Sequence, residues 1–128
     1  MSLLRQSEFR GRPARAPRQK LANPTPAVLR FPSGGRVRAR LQVISITGGL
    51  LFLPNLLDRG TCAKLMFLTD SGAVLGTAEM LIPISTTLQP FRFVAIDSDD
   101  QGRIRKSVRA GAEQNLRDRQ SIYYDRAW

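Results

Sequence analysis

The chain contains no histidine and a single cysteine, Cys62. The first absence removes the commonest general base and the commonest neutral metal ligand, so no Ser-His or Cys-His nucleophile can be assembled from these residues. The second excludes an internal disulfide and any metal site built on several thiolates, which leaves Cys62 as a small apolar filler in a strand. Acids are scarce as well: 10 Asp and Glu stand against 20 Lys and Arg, a net charge of +10. No long hydrophobic run is present either. Asn55, Asp58 and Arg59 interrupt the longest one before it reaches the ~18 residues of a membrane-spanning helix. Met1-Ser-Leu-Leu-Arg5 lacks the apolar core of a secretory signal, so a cytoplasmic location is the expectation.

What is present is unevenly placed. Ahead of Leu41 stand Arg5, Arg10, Arg12, Arg15, Arg18, Lys20, Arg30, Arg36, Arg38 and Arg40, against one acid, Glu8. Lysine occurs only at Lys20, Lys64 and Lys106. Arginine's planar fork suits bidentate phosphate recognition, although an isolated surface arginine is more often a solvated cation. Apolar residues make up 42% of the chain and gather between about Ala27 and Ile96, enough for one core in 128 residues.

Residues 1–24 are basic, polar and proline-bearing, and read as a flexible arm without apolar periodicity. Asn23-Pro-Thr-Pro26 marks a boundary. Ala27–Phe31 reads as a first strand, with Pro32-Ser-Gly-Gly35 turning into a second. From Arg36 to Val43 the period is two: Arg36, Arg38, Arg40 and Gln42 share one face, Val37, Ala39, Leu41 and Val43 the other. Further strands follow at Gly49–Leu53, Cys62–Leu68, Ala73–Ile82 and Leu88–Ile96, the last with Phe91 and Phe93 on one side. Close spacing and Gly- or Pro-bearing turns predict a small antiparallel barrel or sandwich. Asp97-Ser-Asp-Asp100 supplies a helix start, and Ile104, Val108, Ala112 and Leu116 form an apolar stripe at helical spacing. The predicted organisation is an arm over 1–24, a barrel with a C-terminal helix over 25–119, and a tail over 120–128.

The chain is organised around Leu41-Gln-Val-Ile-Ser-Ile-Thr-Gly-Gly-Leu-Leu-Phe-Leu53, an apolar run, a small polar corner and a second apolar run. Exposed backbone N–H groups and little bulk at Ser45-Ile-Thr-Gly-Gly49 are what a phosphate needs, and the arginines before it supply the charge. An ordinary turn beside a basic tail is the plainer reading of the same residues. The order of parts resembles the PilZ domain, the bacterial receptor module for cyclic di-GMP. Its members carry an R-x-x-x-R motif before the first strand, D/N-x-S-x-x-G at a strand end, a six-stranded barrel and commonly a C-terminal helix. Val43-Ile-Ser45-Ile-Thr-Gly48 matches the Ser and Gly of the second motif, and the resemblance spans about residues 14–117. Val43 replaces the Asp or Asn that would accept a hydrogen bond from guanine. Ala14 stands where the first arginine of R-x-x-x-R belongs, with Arg15 beside it and Arg18 at the last position.

The resemblance implies a six-stranded barrel without catalytic activity or cofactor, in which Arg15 and Arg18 clamp phosphate and stack on guanine. Ser45 and Gly48 would line the opposite wall, with Arg12, Thr47 and Gly49 as further phosphate contacts. Cyclic di-GMP and a protein partner are the implied ligands. Two other readings stay open: an adaptor of the same fold that no longer binds the nucleotide, and a small basic nucleic-acid binder. The last is less favoured, because no aromatic side chains interleave with Arg36, Arg38 and Arg40 to stack bases.

Overall fold

The computed structural model describes residues 18–111, without the side chains of Ala22 and Asn23. Six strands, β1 (Gln19–Arg30), β2 (Arg36–Ser45), β3 (Gly48–Phe52), β4 (Cys62–Thr69), β5 (Gly72–Met80) and β6 (Leu88–Ile96), are followed by a helix, α1, over 98–111. The strands close into a barrel in the order β1-β2-β3-β6-β5-β4, every neighbouring pair antiparallel. The predicted six-stranded antiparallel barrel with a C-terminal helix is therefore the observed architecture.

Alternation builds the core directly. In β4, Ala63, Leu65 and Phe67 are buried while Cys62, Lys64, Met66 and Leu68 face out. β5 answers with Val74, Gly76, Ala78 and Met80 inside. Leu29, Leu41, Ile44, Leu51 and Phe91 complete the interior from the other strands. Phe91 and Phe93 meet edge to face, ring centroids 5.3 Å apart, and Phe93 packs against Gly76, where a Cβ would lie 2.9 Å from the ring. From α1, Ile104 and Val108 join the same cluster, so the apolar stripe seals the barrel as its spacing predicts. Ala112 and Leu116 lie outside the described residues.

Three sequence expectations are corrected. β1 begins at Gln19 rather than Ala27, so the end of the expected arm is strand. β2 runs on to Ser45 and needs a backbone partner there. Residues 19–26 supply it, with an irregularity between Lys20 and Thr25 that accommodates Pro24, which has no N–H to donate. Residues 1–17 of that arm, and the tail at 120–128, lie outside the described residues. A second departure is a bulge in β2, where Leu41 pairs with Leu51 but Val43 pairs with Leu50. The extra residue slips the alternation, so Ile44 is buried although strict period two would put it on the arginine face. Third, Cys62 is exposed at the start of β4, its thiol directed to the Gly60 carbonyl, and fills no core space.

One buried polar residue holds the connection between β3 and β4. Gln89 is 0% exposed. Its Oε1 accepts from the Leu57 N–H at 2.9 Å, and its Nε2 donates to the Leu57 and Leu81 carbonyls at 2.7 and 3.0 Å. Every polar atom of the amide thus has a protein partner, as burial requires.

Candidate functional site

β2 and β3 are joined by a two-residue turn, Ile46-Thr47, with Ser45 paired to Gly48 across it. Ser45 is 5% exposed, and its hydroxyl is consumed by the turn itself. The oxygen accepts from the Thr47 N–H at 3.3 Å, and the hydroxyl donates to the Gly48 carbonyl at 3.2 Å. With that proton committed, the 3.0 Å contact to Thr47 has Thr47 Oγ1 as donor. Thr47 is the exposed member of the set, and its carbonyl accepts from the Phe93 N–H at 2.9 Å, tying the corner to β6.

The same chemistry recurs at another hairpin. Thr69 pairs with Gly72 across Asp70-Ser71. Its hydroxyl accepts from the Ser71 N–H at 3.1 Å and donates to the Gly72 carbonyl at 2.8 Å. A hydroxyl followed three residues later by glycine is thus a way of locking a two-residue turn in this barrel. What sets the β2–β3 corner apart is its neighbours. Gln19 pairs with Ile44, which brings Arg18, one residue earlier, level with Ser45 on the β1 side. Gly48 pairs with Arg92 on the β6 side, and Arg92 forms an ion pair with Glu79 of β5.

Register therefore brings together Arg18, Ser45, Gly48 and Arg92, with Thr47 at the tip. Gly49 stands next to the corner, opposite Phe91. Its Cα is enclosed, since a Cβ there would overlap the Val43 carbonyl oxygen. A groove of about 560 Å³ runs beside the turn, lined by Ile46 and Thr47, by β6 from Arg92 to Ile96, and by Gln101 of α1. Arg12 and Arg15 lie outside the described residues. Val43 is half-buried, opposite Lys20 of β1. Arg92 is the cation that reading the sequence missed. Nothing local singles it out, because its place beside Gly48 exists only once β3 and β6 are paired.

No protein-family model matches the sequence, and no curated protein matches it. Solved structures do. The PilZ domain of YcgR from Escherichia coli, with c-di-GMP, superposes with a TM-score of 0.67 at 17% identity, over 84% of this chain and 97% of that one. The longer YcgR chain, in complex with c-di-GMP, gives 0.68 at 18% identity, over 86% of this chain and 50% of that one. MrkH of K. pneumonia gives 0.66 at 18% identity, over 83% and 53%. This chain has the PilZ fold. It spans about half the length of the full YcgR and MrkH chains and nearly all of the isolated YcgR domain. At these identities the likeness is one of fold, which by itself assigns no chemistry to the β2–β3 corner. No helix among the described residues is long and apolar enough to cross a membrane.

Proposed function

We propose that the chain is a non-catalytic PilZ module that binds cyclic di-GMP at the β2–β3 corner and relays its occupancy to a protein partner. The observation that carries this is the strand register. It sets Arg18 level with Ser45 on one side of the Ile46-Thr47 turn and Arg92 on the other. A cyclic dinucleotide carries two phosphodiester charges, and planar arginines suit both those charges and the faces of its bases. Arg18, with Arg15 and Arg12 ahead of it, supplies phosphate contacts from the arm. Thr47 offers a hydroxyl at the exposed tip, while Gly48 and Gly49 let β3 pack closely on β6 and β2 behind it. Ser45 acts as the lock that keeps this wall in place. That YcgR binds c-di-GMP on the same fold supports the reading.

The contact beside Arg18 supports the relay. Gln19 packs so closely on Gly111 of α1 that a Cβ at 111 would overlap its amide. A ligand held by Arg18 is thereby felt at α1. Isothermal calorimetry with cyclic di-GMP is the test. The chain binds the dinucleotide, and Arg18→Ala weakens binding by at least about tenfold, the value of one charge-assisted contact. Absence of binding at high-micromolar ligand would overturn the nucleotide reading.

Val43 favours a second reading, a PilZ-fold adaptor that contacts its partner without the nucleotide. An apolar side chain there offers guanine no acceptor. Partner binding that persists in cells lacking cyclic di-GMP distinguishes the adaptor from the receptor.

A further inference from the structure

The outer face of β2, β1, β4 and β5 is arranged in rows by the strand register. Arg36, Arg30, Lys64 and Thr77 stand side by side across the four strands. Two residues further along comes the row Arg38, Val28, Met66 and Leu75. Beyond it, Arg40 pairs with Pro26, and Leu68 pairs with Ala73. The result is an aliphatic patch with cations along one edge and at one end. Met66 and Leu75 are each 47% exposed and Leu68 is 70% exposed, although β-strand side chains on a free surface are usually polar.

The cations are placed against their own stability. Arg30 lies directly opposite Arg36 on one side and Lys64 on the other, and like charges in directly opposed positions destabilise a sheet. Among the described residues, the ion pairs are Arg92–Glu79 and Arg103–Asp100, and neither includes a cation of this row. Two shallow grooves, of about 340 and 420 Å³, meet at Val28 and carry the patch between Lys64 and Arg40.

We infer that this face docks an acidic amphipathic helix of a partner protein. Over Ala27–Arg30, β1 is hydrogen-bonded to β2 and to β4, so an added strand has no edge to join there and a partner must read side chains. Val28, Met66 and Leu75 span three strands, about 10 Å, which matches the width of one helix. The basic row lies about 7 Å along the strands, within reach of Glu or Asp flanking an apolar stripe. A second copy of this chain carries no acid in these rows to answer the basic one. Nucleic acid would meet aliphatic side chains where it needs aromatic platforms.

The inference deepens the partner half of the proposed function and rests on that half, while requiring no nucleotide. Fluorescence anisotropy with the full chain tests it at about 150 mM salt, where exposed charge pairs alone are largely screened. The probe is a fluorescein-labelled helical peptide with Leu at i, i+3, i+4 and i+7 and Glu on the flanks. It is compared with a scrambled peptide of the same composition, a Lys-flanked version, and single-stranded oligothymidylate. Saturable binding of the acidic amphipathic peptide is expected without cyclic di-GMP. Met66→Glu and Arg36→Glu each weaken it by about tenfold or more, and Arg105→Glu on α1 leaves it unchanged. Equal binding of the scrambled peptide or oligothymidylate would overturn the inference, as would no peptide binding at high-micromolar protein. Sedimentation showing a dimer that Met66→Glu dissociates would assign the face to a second copy instead. Loss of nucleotide binding in the separate calorimetric test leaves this anisotropy result standing, so the two failures are distinguishable.

Discussion

A side chain at position 48 would overlap the Phe91 carbonyl oxygen, so the corner's glycine serves the pairing of β3 with β6 before it serves any ligand. Ser45 is similar, its hydroxyl spent on Thr47 and Gly48. Neither residue distinguishes a receptor from a well-made turn, because Thr69 and Gly72 do the same work elsewhere. Val43 does distinguish them. It is half-buried beside the corner, and the change Val43→Asn would add an acceptor there with little loss of packing. Calorimetry is expected to show roughly fivefold tighter cyclic di-GMP binding for Val43→Asn, the value of about 1 kcal/mol for one neutral hydrogen bond. Unchanged affinity would show that position 43 does not face the nucleotide.

Among the elements, β2 and α1 carry the site. The bulge at Leu41–Val43 turns Ile44 inward, which anchors the end of β2 in the core while the turn beyond it stays at the surface. Alternation from Arg36 to Leu41 was legible in the residues. The bulge was not, since one extra residue leaves no mark until the partner strand is counted against it. For α1, the stripe was readable and its burial decides its importance. Ile104 is fully buried in the barrel's core cluster. Ile104→Ala is expected to lower stability by about 2–4 kcal/mol in urea denaturation followed by circular dichroism, the usual loss for a large aliphatic in a closed core. A change under about 0.5 kcal/mol would mean that the helix rests on the barrel without sealing it.

For the whole molecule, charge outweighs ion pairing. The chain carries +10, and the two ion pairs among the described residues have side chains partly open to solvent, where such pairs contribute little. Repulsion along Arg36, Arg30 and Lys64 and over the basic surface is the larger effect, and salt screens it. Raising sodium chloride from about 50 to about 500 mM is expected to raise stability on the order of 1 kcal/mol, read as a higher urea midpoint. A fall in the midpoint would show that the ion pairs dominate. The exposed aliphatic patch beside those cations belongs to the same scale, because neither Met66 nor Arg36 means much until β1 and β4 are set between β2 and β5.

By itself the sequence determined six strands, a helix with an apolar stripe, and a serine–glycine turn between two apolar runs. Those features follow from local periodicity and turn chemistry, which a single segment contains in full. Tertiary structure alone decided which residues from distant segments stand side by side. Closure of the barrel placed Arg92 against Gly48, extended β1 back until Arg18 came level with Ser45, and lined Arg30 up between Arg36 and Lys64. The physical reason is that period two fixes the face a side chain takes within its own strand. Register between strands depends on bulges and on the pairing of non-local segments. The Ser45–Gly49 corner is thus a turn by its sequence and a candidate dinucleotide wall by its neighbours.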